Sequence, residues 1–549
     1  MMKPWINTYF PVFLLLLPLA AGCDEGRDSI FERHPTFMSP IALESSLAFV
    51  SATFEKTYFL SFDNDENEPV VETFRVGRSP YAAFGSADNE KLFVICHGAV
   101  EGEVNEEDAE EESLHVMDPS EGGTTVFSLG SPFTGISESD SGKWAVAYFS
   151  RPMPGTNPNL MAILDLDKEP SGDNPVIRDI RTLGASVLSV LFLENIDVAV
   201  REGGEDTLLR KNLALVLHDS YVTLMDLDHP GRSEISVRLT VPGLGGSVIP
   251  TQDDVIIAND PNGISSRVLL RSDNASDIFA ITFVGLARDG ADENDYRVSL
   301  NQLSVDVEPD AAPSDMEMFE DGGRKLVIAA NRTTGNIAIV DPESTMVTPV
   351  TTDFPVKNIL LFDEGRMALL YAIGGEMGYF VTLENIEDEK ERNLEQYSFG
   401  GPLDYFMPVP GRDFAAFTLS GYVQRLLFID LVDREMAEVY LSGSSQNARF
   451  LMYPGGSNML ISPANLSEVW FIDDMKSYHI NPIIVDRAVT GVWLLKGIGK
   501  VVLDHGFGEG YVTFLDMDDP KRSGAVSAWG FLFEDVMSVD PDDYPLSTD

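Results

Sequence analysis

Asp321-Gly322-Gly323-Arg324-Lys325-Leu326-Val327-Ile328-Ala329-Ala330-Asn331, followed by Gly335-Asn336-Ile337-Ala338-Ile339-Val340-Asp341, is the stretch on which the reading of this chain turns. A Gly-rich turn opens onto an apolar run ending in Asn, and a second apolar run ends in Asp. Turn residues between runs of four to six β-favouring residues are a hairpin signal. Both runs are apolar throughout rather than alternating, so strands of this kind must be covered on both faces.

The same pattern recurs on either side. Downstream, runs of this type end at Glu384, Asp430, Asp473 and Asp516, that is, after 43, 46, 43 and 43 residues counted from Asp341. Upstream, they end at Asp63, Asp118, Asp165 and Asp226, and Asp277-Ile278-Phe279-Ala280-Ile281-Thr282 fills the gap before Asp341. A second feature keeps step, because Gly322, Gly365 and Gly411 each stand 19 residues before an acidic end. About ten units result. A unit of about 43 residues holds four short strands with their turns. Sheets that are apolar on both faces are satisfied by a radial ring, in which each is sandwiched between its neighbours. A two-helix repeat of similar length is excluded by the Val, Ile, Phe and Tyr content and by the frequent Gly and Pro.

On these residues the chain resembles the β-propeller class, and especially the bacterial YVTN or lactonase-like propellers, whose unit reads turn, apolar strand ending in Asn, apolar strand ending in Asp. The segment 313–355 is the best copy, and the resemblance spans residues 39–537. It implies an all-β propeller of four-stranded blades. One large ring is preferred to two rings split near 307–313, where Val307-Glu308-Pro309-Asp310-Ala311-Ala312-Pro313 offers a boundary.

The chain has 549 residues and a formal charge of -50, from 88 Asp plus Glu against 38 Lys plus Arg. That balance excludes a nucleic-acid binder, whose affinity comes from cations replacing phosphate counterions. At the N-terminus, Lys3 is followed by the apolar run Phe10 to Leu19, too short to span a bilayer and fitting the core of an export signal. Leu19-Ala20-Ala21-Gly22-Cys23 resembles the lipobox of bacterial lipoproteins, which implies a signal peptide over 1–22 and lipid on the Cys23 thiol. A tether over 23–38 and an acidic tail over 538–549 complete the expected organisation. The resemblance places the body in the bacterial cell envelope, held at a membrane whose identity, inner or outer, stays open. The only other cysteine, Cys96, lies in the run Leu92-Phe93-Val94-Ile95-Cys96, as a small buried thiol would.

Loops after the second apolar run of each unit are expected on one rim of the ring, where propellers bind partners. They supply the candidate binding residues His97, Arg151, His218, Asp219, Asn259, Asn331 and His505. His97, His218 and His505 occupy equivalent positions, and three imidazoles converging on an axis would suit zinc or copper. A structural role at a strand end is the stronger expectation. Asp165-Leu166-Asp167, Asp226-Leu227-Asp228 and Asp516-Met517-Asp518 pair carboxylates as calcium would want, while an Asp at a strand-to-turn junction more commonly caps backbone amides. Ser137 to Trp144 resembles a sialidase Asp box but has the wrong spacing, and reads as a hairpin turn. Glu101 to Glu112, eight acidic residues in twelve, reads as a solvated excursion.

The expectation is a membrane-anchored, non-catalytic propeller that binds an envelope protein, peptide or glycan through its loop rim, with no cofactor. The alternative is a lactonase-like or other hydrolytic propeller using rim His and carboxylates, with calcium.

Overall fold

Among the described residues, every apolar run of the repeat is a strand, and each acid-ended run is the third strand of an antiparallel four-stranded blade. The computed structural model describes residues 36–538 apart from 100–109, 152, 181–185, 203–204, 220, 242–247, 260–265, 273, 288–295, 308–311, 410–411, 442, 444–447, 453–457, 464, 473–478, 518–519, 521–523 and 534–536. Cys23, the expected signal segment 1–22, residues 23–35 of the expected tether, most of the acidic run and residues 539–549 therefore lie outside the described residues, whereas Phe37 pairs with Ser51 of blade 1.

The strands group into ten blades, spanning 41–75 (blade 1), 80–128 (2), 135–179 (3), 187–238 (4), 250–306 (5), 313–350 (6), 358–398 (7), 403–440 (8), 449–484 (9) and 491–538 (10). Within each blade the strands pair in chain order, first to fourth, and blade 10 adds a short fifth strand, Met537–Ser538. First strands of successive blades approach one another, which puts them at the hub and the fourth strands at the periphery. In blade 6, Ile328 pairs with Ile339 and Val327 with Val340, so the two apolar runs of the deciding stretch lie side by side. Gly335 shapes the turn between them. Its φ is 73°, and a Cβ there would come within 2.6 Å of Pro355 Cα.

The core is divided among the blade interfaces. Ten buried clusters each join two successive blades, from Leu92, Val94 and Cys96 against Val50 and Phe59 of blade 1 to Leu460 and Phe471 against Val501 and Leu515 of blade 10. The last one closes the ring: Leu47, Phe49, Tyr58 and Leu60 of blade 1 pack on Val502, Val512, Phe514 and Phe531 of blade 10. Phe62 lies 5.0 Å from Phe514, and Phe49 meets Phe531 edge-on at 5.3 Å. Segment 307–313 joins blades 5 and 6 of this one ring, and those blades share a core through Ile278, Ala280, Val327 and Ala329. Cys96 is fully buried and unpaired, and burial pushes its thiol pKa up to about 12.

Blades 4 and 5 depart from the repeat. The first hairpin of blade 4 (Val187–Glu202 with Glu205–His218) and the last hairpin of blade 5 (Asp277–Ala287 with Tyr296–Asp306) are far longer than their counterparts. Beyond the ring they pair in parallel, Ala199 with Val284 and Val200 with Gly285, fusing the two blades into one eight-stranded sheet. Ile196, Val198, Phe283 and Val298 extend the buried core shared by blades 4 and 5 into this crest.

Replacing Phe514 by Ala is expected to cost about 3–5 kcal/mol, because a fully buried ring is lost from the closing interface. Leu303→Ala, at an exposed site on blade 5, should stay within about 0.5 kcal/mol. Chemical denaturation of the two variants against the native protein checks this.

Candidate functional site

Strand direction sorts the loops between two rims. The upper rim carries the loops between second and third strands and the connections between blades, and the lower rim carries the other two turns of each blade. His97, Arg151, His218, Asp219, Asn331 and His505 all fall on the upper rim. Asn259 does not, which corrects the sequence assignment. It ends the first strand of blade 5, Pro250–Asn259, and pairs with Ser266 at the lower rim. The run Val255-Ile256-Ile257-Ala258 looks like a second strand because it is apolar, but the second strand is Ser266–Ser272.

The three equivalent histidines are dispersed over blades 2, 4 and 10, and each is built into its own blade junction. His97 donates from Nε2 to the Phe133 carbonyl at 2.9 Å and stacks on Tyr81 at 4.2 Å. His505 donates from Nδ1 to the Ala488 carbonyl at 3.2 Å and accepts from the Thr513 hydroxyl at 2.9 Å, and burial lowers its pKa. His218 is fully buried, with neither ring nitrogen in a hydrogen bond of ordinary geometry. Burial pushes its pKa down to about 4 against the weaker opposite pull of the Ser186 backbone. A fourth, His115, was not among the candidates. It lies buried on the third strand of blade 2, where its Nε2 accepts the Gly77 N–H at 3.0 Å, and burial lowers its pKa too. His97, His115 and His505 are thus held by backbone groups at their blade junctions, where an imidazole serves a positioning role.

Asn331 is likewise buried, and its backbone closes the turn to Asn336 at 2.9 Å. Arg151 and Asp219 are the two candidates that stand exposed on the upper rim, on blades 3 and 4. A cavity of about 490 Å³ lies between blades 1 and 2, bounded by Arg75, Glu110, His115 and Val126, and contains none of the predicted residues.

The strand-end carboxylates cap turns. Asp63 accepts the N–H groups of Asp65 (2.8 Å) and Glu66 (3.1 Å), Asp118 those of Ser120 and Glu121, Asp341 those of Glu343 and Ser344, and Asp430 those of Val432 and Asp433. Where calcium is conceivable from the Asp-x-Asp spacing, protein cations face the first carboxylate: Lys168 at 2.8 Å from Asp165, Lys500 at 3.2 Å from Asp516, and Arg232 at 3.6 Å from Asp226. Among the described residues, no group of three or more His, Cys, Asp or Glu side chains is arranged to hold a metal ion.

A further use of carboxylates escapes sequence reasoning. Glu138 of blade 3 accepts the Ala87 N–H of blade 2 at 2.7 Å. Glu194 of blade 4 accepts the backbone N–H and hydroxyl of Ser141 in blade 3, and Asp413 of blade 8 accepts the Asp363 N–H of blade 7 at 2.9 Å. Each latch holds the turn of the preceding blade. The signal, a carboxylate about one repeat after a turn, has meaning only once the ring is known.

No family model and no curated protein matches the chain. Solved structures similar to it include the dihydro-heme d1 dehydrogenase NirN in complex with DHE, at 12% identity over 74% of each chain with a TM-score of 0.37. The Dos1 propeller is 10% identical over 67% of this chain and 89% of its own, with a TM-score of 0.37. The β-propeller domain of Cps50 (Swd1) from Myceliophteria thermophila is 11% identical over 60% and 93%, with a TM-score of 0.31. These likenesses concern the fold alone.

His218 generates a pH prediction. Its folded pKa lies below the unfolded value of 6.5, so its contribution to stability is complete above about pH 6.5 and is lost as pH falls toward 4. The loss amounts to roughly 3 kcal/mol. Relative to His218→Gln, the native protein should lose stability over that window, and denaturation midpoints at pH 7.5, 5.5 and 4.5 check the difference.

Proposed function

We propose that this is a membrane-anchored, non-catalytic β-propeller lipoprotein of the bacterial cell envelope, which binds an envelope protein, a peptide or a glycan at the rim of its ring. The observation that carries the binding half is the crest of blades 4 and 5. Ordering some thirty extra residues costs conformational entropy, and ring closure does not need them, since eight other blades close with short hairpins. An elaboration that carries the core of blades 4 and 5 beyond the ring and adds its own backbone pairing, standing off the lower rim, is suited to contact with a partner. The exposed upper-rim residues Arg151 and Asp219 belong to blades 3 and 4, close to the crest in the ring order.

The hydrolytic alternative needs a base and a nucleophile or metal around one pocket. The described histidines that were its candidates are instead dispersed and committed to their own blades. The anchoring half rests on the lipobox-like sequence before Cys23.

Two measurements test the proposal. Excising residues 198–209 and 284–299, each replaced by an Asn-Gly turn, should leave the ring folded by circular dichroism. It should abolish at low salt the retention of a partner captured by the intact body from envelope extract or on a glycan array. Cys23→Ser should remove metabolic fatty-acid labelling and release the chain from the membrane fraction. Unchanged capture after crest removal overturns the binding half, and labelling that persists in Cys23→Ser overturns the anchoring half.

A further inference from the structure

Exposed apolar side chains are unevenly distributed around the upper rim. On blades 8, 9 and 10 the loop after the second strand and the end of the fourth strand present one each: Tyr422 and Tyr440, Leu466 and Ile484, Phe507 and Trp529. All are between 36% and 65% exposed. Register fixes their level, because Tyr440 pairs with Arg425, Ile484 with Glu468 and Trp529 with Tyr511, each at the upper end of a third strand.

The repeat supplies its own control. Where these blades end the fourth strand in Tyr, Ile and Trp, blades 1 to 5 and 7 end it in Arg75, Ser128, Asp179, Arg238, Asp306 and Ser398. Val350 of blade 6 is buried. Three successive blades thus share a substitution pattern that packing does not explain, since the side chains point to water. Guanidinium groups accompany the rings: Arg425 lies 4.8 Å from Tyr422 and 5.2 Å from Tyr440, while pairing with Glu438 at 2.8 Å, and Arg487 lies 5.4 Å from Phe507.

The chain itself indicates what covers this arc. The described residues begin at the upper rim of blade 1, next to blade 10, where the Thr36 N–H bonds the Thr53 hydroxyl and Phe37 pairs with Ser51. Twelve residues, 24–35, separate this point from Cys23. Fully extended they reach at most about 40 Å. We propose that the upper rim of blades 8 to 10 lies against the headgroup region of the bilayer that holds Cys23.

Tyr and Trp favour that region, where the ring is buried and its polar edge stays wet, and Phe507, Leu466 and Ile484 add apolar area beside them. The inference deepens the anchoring half of the proposed function. The lipid sets which surface the protein is on, and the arc sets how it stands. Because the chain carries a charge of -50, with Asp486 and Glu509 beside the arc, the favoured surface is zwitterionic. Standing on blades 8 to 10 turns the crest of blades 4 and 5, on the opposite rim and across the ring, away from the membrane.

The test uses the body from Asp24 onward, without lipid, and vesicles of phosphatidylcholine and phosphatidylethanolamine. The protein should float with the vesicles equally at 0.1 and 0.5 M salt, with a blue shift in tryptophan emission that is lost in Trp529→Phe. Tyr440→Ser, Ile484→Ser and Trp529→Ser combined should reduce flotation at least tenfold, while Tyr81→Ser, on blade 2, should not. A body that stays with the buffer overturns the inference. So does binding that requires anionic lipid and vanishes in salt, or a lipid-free dimer broken by the same three substitutions. Fatty-acid labelling at Cys23 is scored separately, so loss of the anchor reading and loss of the docking reading give different results.

Discussion

Everything in this molecule depends on sheets that are apolar on both faces. A blade such as 313–350, with Leu326, Ile328 and Ala330 turned to one side and Val327 and Ala329 to the other, cannot exist alone in water. Its neighbours have the same need, and only a closed ring leaves no face uncovered. Among the described residues each blade is built from consecutive strands, so closure rests on the packing between blades 10 and 1, with the Gly497 N–H donating to the Glu44 carbonyl at 2.7 Å beside it. Burial of each large apolar side chain there contributes about 1.5–3 kcal/mol, and losing the interface would expose two blade faces together. Stability in such a ring is a sum of nearest-neighbour terms that fails as a whole when one link opens.

The same constraint explains which parts of the fold are legible in the sequence. The third strands can be read from their continuous apolar runs, and in nine of the ten blades an Asp or Glu follows the run, capping the next turn in several, as Asp341 does for Glu343 and Ser344. Second strands are legible for the same reason of two-sided burial, Leu92–Cys96 being an example. Fourth strands are not. They lie at the periphery, half in water, and Glu395 or Thr124 on them carries no periodic signal. Blade 5 misleads because its first strand ends in the apolar run Val255-Ile256-Ile257-Ala258 followed by Asn, the pattern of a second strand elsewhere, which moves Asn259 to the wrong rim. The site was less legible than the fold: His97, His218 and His505 do share a structural position, but the position serves blade junctions. Whether a histidine faces a ligand or a linker carbonyl depends on residues some 17 to 36 places away, such as Ala488 and Phe133, and spacing within one unit is blind to them.

Acidity, too, gains a local meaning. A charge of -50 works against a closed ring through self-repulsion. The carboxylates described are nevertheless distributed among uses that relieve it. Some cap turns within a blade, some accept the N–H of the preceding blade's turn, and some face buried cations such as Lys211, 3.9 Å from both Asp226 and Asp228. Burial raises the pKa of Glu138 while the Ala87 N–H opposes the rise, so the latch between blades 2 and 3 holds a charge at some cost in desolvation. The acidic surface is in part the exposed side of a network whose buried side joins the blades.

Symmetry gives the last step. Ten blades of one plan give a ring with no preferred direction around its axis, so any function that needs an orientation must break the repeat. Two departures in this chain give it a direction. Blades 4 and 5 lengthen their lower hairpins into a common sheet, and blades 8 to 10 replace polar strand ends by Tyr440, Ile484 and Trp529 at the upper rim. In a ring of ten, blade 4 stands opposite blade 9 and blade 5 opposite blade 10, so the two departures are placed across the axis and on opposite faces. Neither is needed for closure. The lengthened hairpins and the apolar strand ends give the ring two distinguishable faces, and in the docking proposed above the apolar arc is the one turned to the membrane surface.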